Sequence, residues 1–175
     1  MRFVLHTLAP FWVIGMAAVL VASITFAFHH VGLPLVINET PSEPLGVYRV
    51  VAHRKEEYLR GMLVLFAVPA EMSAIVYGRG WLRKGLPLLK EIRGLAGDRI
   101  CIFANRLQIN GRTAGPVFAE DSQGLPLPQR RGCFEVPAGS FFAASQRIPR
   151  SFDGRYFGTL PLDVLQGEAR PVWTF

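Results

Sequence analysis

The chain has 175 residues, half of them hydrophobic, a formal net charge of +6 and two cysteines. That is enough to bury one sizeable core but short for two independent domains. The positive charge suits nucleic acid, anionic lipid or an acidic partner alike. However, its basic residues fall in small groups (Arg49, Arg54 and Lys55; Arg83 and Lys84; Arg130 and Arg131) without the aromatic interleaving of a single-strand binder, so no nucleic-acid partner is expected.

After a short N-terminus, residues 1–7, the stretch 8–28 holds no charged residue and is rich in Val, Ile, Leu, Ala and Phe. About 20 apolar residues suffice to cross a bilayer as a helix, and core helices of soluble proteins seldom stay apolar on every face for so long. Arg2 and the α-amino group precede this run, whereas 29–48 contains no Lys or Arg and two carboxylates, Glu39 and Glu43. The positive-inside rule then keeps the N-terminus in the cytoplasm and sends residues 29–175 to the far side. A removable secretory signal is the rival reading, but the run is long for one, and Phe26, Phe28 and His29 make a poor cleavage site around Thr25 and Ala27. The span is therefore expected to be kept as an anchor in contact with the lipid bilayer.

Beyond it, short apolar or alternating runs broken by Gly, Pro and Asn predict an all-β domain, with strands at 47–52, 62–67, 88–93, 99–103, 106–109 and 140–144. Asn110-Gly111 signals a two-residue hairpin. A short helix is expected near 70–78 and an exposed loop over 115–132, where Gly, Pro, Gln and charge dominate. On the oxidising side of a membrane Cys101 and Cys133 have two fates, a disulfide or two buried thiols in neighbouring strands. No His/Cys cluster stands at metal-ligand spacing, so neither metal nor cofactor is expected.

Three segments carry chemistry. In Asn38-Glu39-Thr40-Pro41-Ser42-Glu43-Pro44-Leu45-Gly46-Val47-Tyr48, two prolines stiffen the backbone around Ser42, as a nucleophile requires and as an ordinary linker leaving a membrane helix also allows. In Pro87-Leu88-Leu89-Lys90-Glu91-Ile92-Arg93-Gly94-Leu95-Ala96-Gly97-Asp98, strand alternation puts Lys90 on the face of Leu88 and Ile92, with Glu91 and Arg93 opposite. Desolvation there would lower the amine pKa and make Lys90 a neutral base for a hydroxyl, unless its head snorkels to water. The third segment, Ser145-Gln146-Arg147-Ile148-Pro149-Arg150-Ser151-Phe152-Asp153-Gly154-Arg155-Tyr156-Phe157-Gly158, pairs Asp153 with Arg155 on one side of a turn and places Ser151 nearby.

Ser-x-Pro, then Lys-x-x-x-Gly-x-x-Gly-Asp, then Ser-x-Asp-x-Arg-Tyr-Phe-Gly, in this order after a membrane anchor, resembles the bacterial type I signal peptidase family. The form of the first motif is most similar to the conjugative-transfer branch, whose members process a plasmid-encoded pilin. The resemblance implies a mostly β, signal-peptidase-like catalytic domain preceded by one N-terminal transmembrane helix of the bacterial inner membrane, the domain lying in the periplasm. It implies Ser42 as nucleophile, Lys90 as general base, Thr40 as an oxyanion donor with the Ser42 N–H, Ser151 bonded to the Lys90 amine, and Asp153 with Arg155 bracing that loop. The implied partner is a membrane-tethered precursor, either a pilin released by cleavage or head-to-tail joining or, in a general leader peptidase, any signal-peptide-bearing protein. An inactive member of a conjugation or secretion apparatus is the third reading. The chain departs from the family where Ser145-Gln146-Arg147-Ile148 stands in place of Gly-Asp-Asn-Arg, and where Glu91 and Ala96 replace a basic residue and a proline.

Overall fold

The computed structural model describes residues 12–19, 23 and 34–175. Two units are present, Met1–Pro34 and Leu35–Phe175. In the first, residues 12–19 are helical, with Trp12, Ile14 and Met16 exposed. Much of the expected anchor at 8–28 lies outside the described residues, and among the described residues no helix is long and apolar enough to cross a membrane.

The second unit is mostly β, in two antiparallel sheets. Seven strands run in the order β1 (Leu35–Asn38), β2 (Gly46–Val51), β11 (Leu165–Thr174), β3 (Leu63–Phe66), β4 (Leu88–Leu95), β9 (Ser140–Ala143) and β10 (Thr159–Pro161). Four more run β7 (Arg112–Pro116), β6 (Arg106–Ile109), β5 (Arg99–Phe103) and β8 (Gly132–Glu135). β4 is an interior strand, with Val64 opposite Lys90 on one side and Ala143 opposite Ile92 on the other. Its side chains divide as alternation demands: Leu88 and Ile92 join the core of Phe66, Phe141 and Phe157, while Leu89 joins Tyr48, Leu65 and Ala169 on the opposite face.

The larger core also anchors the third segment. Phe66 meets Phe141 and Phe157 edge-on, with centroids 5.5 and 6.2 Å apart, a geometry that adds to the roughly 1.5–3 kcal/mol of transfer free energy each buried Phe contributes. Phe157 closes the one-turn helix Gly154–Phe157, so this packing holds Asp153 and Arg155 against the sheet. Gly154 permits the approach, since a Cβ there would stand 2.6 Å from Ala143 O.

Several expectations are met and others corrected. The β6–β7 turn is formed by Asn110 and Gly111, both at positive φ (51° and 77°), as a type I′ hairpin requires. A 3₁₀ turn Ala70–Met72 leads into the helix Ser73–Gly78. Cys101 and Cys133 face each other across β5 and β8 and are joined in a disulfide. The segment 115–132 is not simply an exposed loop: its start belongs to β7, its end to β8, and Val117 and Leu127 are buried with Ile100, Leu107 and Tyr156. Isolated apolar residues among Gly and Pro have no period to reveal which face they serve. β11 was not expected at all, because Gly167 and Pro171 break its pattern; register shifts beside both absorb them while the strand lies between β2 and β3.

Candidate active site

Ser42 sits in the loop between β1 and β2, and the side chain of Asn38 organises that loop. Asn38 Oδ1 accepts from Thr40 N (3.2 Å) and Thr40 Oγ1 (2.9 Å). Its Nδ2 reaches the carbonyls of Thr40 (3.0 Å), Glu43 (3.0 Å) and Pro44 (2.9 Å). Tyr48 Oη donates to Pro44 O at 2.6 Å. A loop with two prolines loses few backbone bonds on folding, and one amide side chain supplies the bonds that remain.

This arrangement presents Ser42, only 6% exposed, to Lys90, 3% exposed. Lys90 Nζ lies 2.6 Å from Ser42 Oγ and donates to Leu89 O at 2.9 Å. Burial holds the amine pKa below its ordinary value, against the pull of Asp153 and Glu43 toward the charged form, with Arg155 adding to the lowering. The lysine therefore does not snorkel.

Asp153 and Arg155 form a saturated pair. Arg155 Nε and Nη2 donate to the two Asp153 oxygens at 2.9 and 2.8 Å, and the remaining guanidinium donors reach Ser145 O (2.8 Å), Pro149 O (2.8 Å) and Pro116 O (3.1 Å). Asp153 also accepts from Ser145 N (3.0 Å) and from Arg155 N, capping the short helix. These bonds tie the loop after β9 to the end of β7.

Thr40 and Ser151 differ from the expected picture. The Thr40 hydroxyl lines the cleft but donates to Asn38 rather than standing free. Ser151 is buried on the cleft wall, yet its Oγ has no hydrogen-bond partner among the described residues, so the expected bond to Lys90 is not formed. The amine is directed at Ser42 and at its own strand instead.

Sequence reading missed three contributors. Asn38 was read only as part of a motif. Ser145, in the segment that departs from the family pattern, donates from Oγ to the backbone oxygen of Ser42. Glu43, next to the nucleophile, is buried, and desolvation raises its carboxyl pKa to about 7 against the opposing charge of Lys90. A carboxylate between two prolines gives no sequence signal that it will turn inward.

Ser42 and Lys90 open into a cleft of about 300 Å³ whose far wall is apolar, with Val76, Trp81, Leu82, Leu88 and Phe152. A hydroxyl against an amine held toward neutrality, at the end of an apolar cleft, is equipped for nucleophilic attack on an acyl group. Among the described residues, no three His, Cys, Asp or Glu side chains converge as a metal-binding group.

The family described as signal peptidase, peptidase S26, matches residues 5–174. A conjugal transfer protein TraF of Agrobacterium fabrum (strain C58) is 38% identical over 149 residues, covering 79% of this chain and 82% of the relative. A protein of the same name from Agrobacterium tumefaciens (strain 15955) is 36% identical over 168 residues, with 91% and 92% covered. Among solved structures, a signal peptidase I from Enterococcus faecalis is similar over 64% of this chain and 96% of its own, at 23% identity and a TM-score of 0.37.

Proposed function

The chain belongs to the signal peptidase family, peptidase S26, and from that membership we propose that it is a serine endopeptidase with Ser42 as nucleophile and Lys90 as general base. The observation that carries the reading is the 2.6 Å contact between Lys90 Nζ and Ser42 Oγ inside the protein. In the reaction, neutral Lys90 accepts the Ser42 proton as Oγ attacks the scissile carbonyl. The Ser42 N–H and the Thr40 hydroxyl, once turned from Asn38, stabilise the oxyanion. Lys90 returns its proton to the leaving amine. The acyl-enzyme is then released by water or by another amine, the second route joining the product head to tail. Ser151 is the acceptor for an N–H of Lys90 when the amine is charged, and Asp153 with Arg155 holds the wall that carries it.

The substrate in this reading is an exported, membrane-tethered precursor lying extended along a strand edge, with small residues before the cut. Relatives called conjugal transfer proteins support a role in conjugation, where a pilin precursor is the proposed substrate. In this reading the enzyme sits in the bacterial inner membrane with its catalytic unit on the periplasmic side, which the apolar segment 8–28 and the Cys101–Cys133 disulfide support.

The test is co-expression with a candidate pilin precursor and intact mass of the product. Mass loss with wild type and none with Ser42→Ala or Lys90→Ala is expected, and a further loss of one water marks head-to-tail joining. Cleavage of ordinary secretory precursors instead identifies a general leader peptidase. No processing of either, together with no reaction with a serine acylating agent, identifies an inactive component of the transfer apparatus.

A further inference from the structure

One buried ionisable group belongs to no step of that reaction. Glu43 is 6% exposed, and its Oε1 is enclosed with no hydrogen-bond partner among the described residues. Its backbone is clamped by the Asn38 side chain at 3.0 Å and followed by Pro44, so the carboxyl is carried inward by the same loop that carries Ser42. The Ser145 hydroxyl, which bears on the Glu43 carboxyl, donates to the Ser42 backbone oxygen instead.

The charges that face Glu43 come from every element packed around it. From β4 come Lys90 and Glu91, and from the turn after β9 comes Asp153, itself paired with Arg155. From β2 comes the neutral phenol of Tyr48, on which Arg147 of the loop after β9 also acts. Glu91 is paired with Arg93 at 2.9 Å, and Asp153 is saturated by Arg155. With Arg147 exposed, that leaves Glu43 and Lys90 as the two buried groups among these whose charges are not balanced by a bonded partner. They make no ion pair with each other: Nζ is spent on Ser42 and Leu89. Two separated buried charges are costly in a poorly polarisable interior, whereas a neutral acid and a neutral amine hold the same single proton without that cost.

We propose that Glu43 is a positioning residue that sets when Lys90 can act as base: as a carboxylic acid it leaves the amine free and the pocket uncharged, and as a carboxylate it draws the proton back onto Lys90. The exchange balances, since COO⁻ and NH₃⁺ become COOH and NH₂ with no proton gained or lost. Burial drives both groups toward those neutral forms, lifting the acid and lowering the amine. The inference rests on the Ser42/Lys90 reading and adds to it a reason for the carboxyl beside the nucleophile.

A consequence follows for pH. When Glu43 is ionised it pulls Lys90 back toward the ammonium, so in wild type the free amine accumulates in two steps as pH rises. Glu43→Gln removes the competing anion; the ammonium is then less stable, and Lys90 loses its proton in one step at lower pH. The experiment is the rate of Ser42 acylation by p-nitrophenyl acetate, read as p-nitrophenolate release by the full chain in detergent micelles, with the Ser42→Ala rate subtracted. The acid limb of the Glu43→Gln profile is expected to become single and to move down by about one pH unit.

Wild-type reactivity in Lys90→Ala overturns the dyad reading, and this inference with it. An unreactive Lys90→Ala beside a Glu43→Gln limb that coincides with wild type, or a rate lowered equally at every pH, overturns the inference alone. Should Glu43→Gln not fold, the carboxyl is read in wild type by infrared spectroscopy. A solvent-shielded protonated C=O stretch that persists at neutral pH supports the inference, and its absence overturns it.

Discussion

Two acid–base pairs lie buried near the nucleophile, and the fold treats them differently. Asp153 and Arg155 are joined by two direct bonds, and the leftover donors and acceptors of both are taken up by backbone at Ser145, Pro149 and Pro116. Lys90 and Glu43 are also buried, yet Lys90 bonds a serine hydroxyl and a carbonyl, and Glu43 keeps an oxygen unpartnered among the described residues. A saturated buried pair has every donor and acceptor engaged and behaves as structure. An unsaturated one responds to desolvation by moving both pKa values toward neutrality, which is what acid–base chemistry needs. The rigid pair is also what makes the reactive one possible, because Asp153 bonds Ser145 N while Ser145 Oγ bonds the nucleophile's backbone.

The comparison breaks most directly at Arg155. Arg155→Ala leaves the buried Asp153 without its partner and is expected to cost about 3–5 kcal/mol of stability, measured by denaturant unfolding; a midpoint close to wild type would mean that the pair is not structural. Asn38→Ala strips the nucleophile loop of its bonds and is expected to cost about 1–3 kcal/mol, with amide exchange quickening around Thr40 and Glu43. Unchanged exchange there would show that the prolines alone hold the loop.

The unsaturated pair is tested by pH. The Glu43 pKa is raised from 4.5 in the unfolded chain to about 7 in the folded one, so between those values the folded state binds the extra proton. Its contribution is therefore fully present below the unfolded value and is lost as pH rises through the folded one. Wild type should lose thermal stability relative to Glu43→Gln as pH is raised through this window, and parallel curves would refute the shift. The smallest effect is expected at Ser151, whose Oγ has no bond to lose: Ser151→Ala should stay within about 0.5 kcal/mol of wild type. If precursor processing falls while stability holds, Ser151 acts on Lys90 during the reaction; if both are unmoved, it is only part of the wall.

Much of the fold was legible because its signals are local. The alternation of β4 placed Lys90 with Leu88 and Ile92, and Asn110-Gly111 marked the β6–β7 turn, since side-chain period and positive φ are properties of a few adjacent residues. β11 was illegible for the matching reason: Gly167 and Pro171 interrupt its period, and what makes it a strand is pairing with β2 and β3, about a hundred positions or more away in chain order. In the site, the motif order pointed to Ser42, Lys90, Asp153 and Arg155. Ser145 and Glu43 escaped because their roles consist of contacts with residues whose proximity no spacing announces.

By itself, then, the sequence determined that the chain beyond residue 28 would be mostly β, that one lysine would lie on the apolar face of a strand and that a stiff loop would carry Ser42, all consequences of period, turn chemistry and proline geometry. Only the tertiary structure decided how far that lysine is desolvated, that the serine stands 2.6 Å from it, that Ser151 is left without a partner and that Glu43 turns inward. Burial and electrostatics at a point sum over every element packed around it, and that sum is written in no single stretch of the chain.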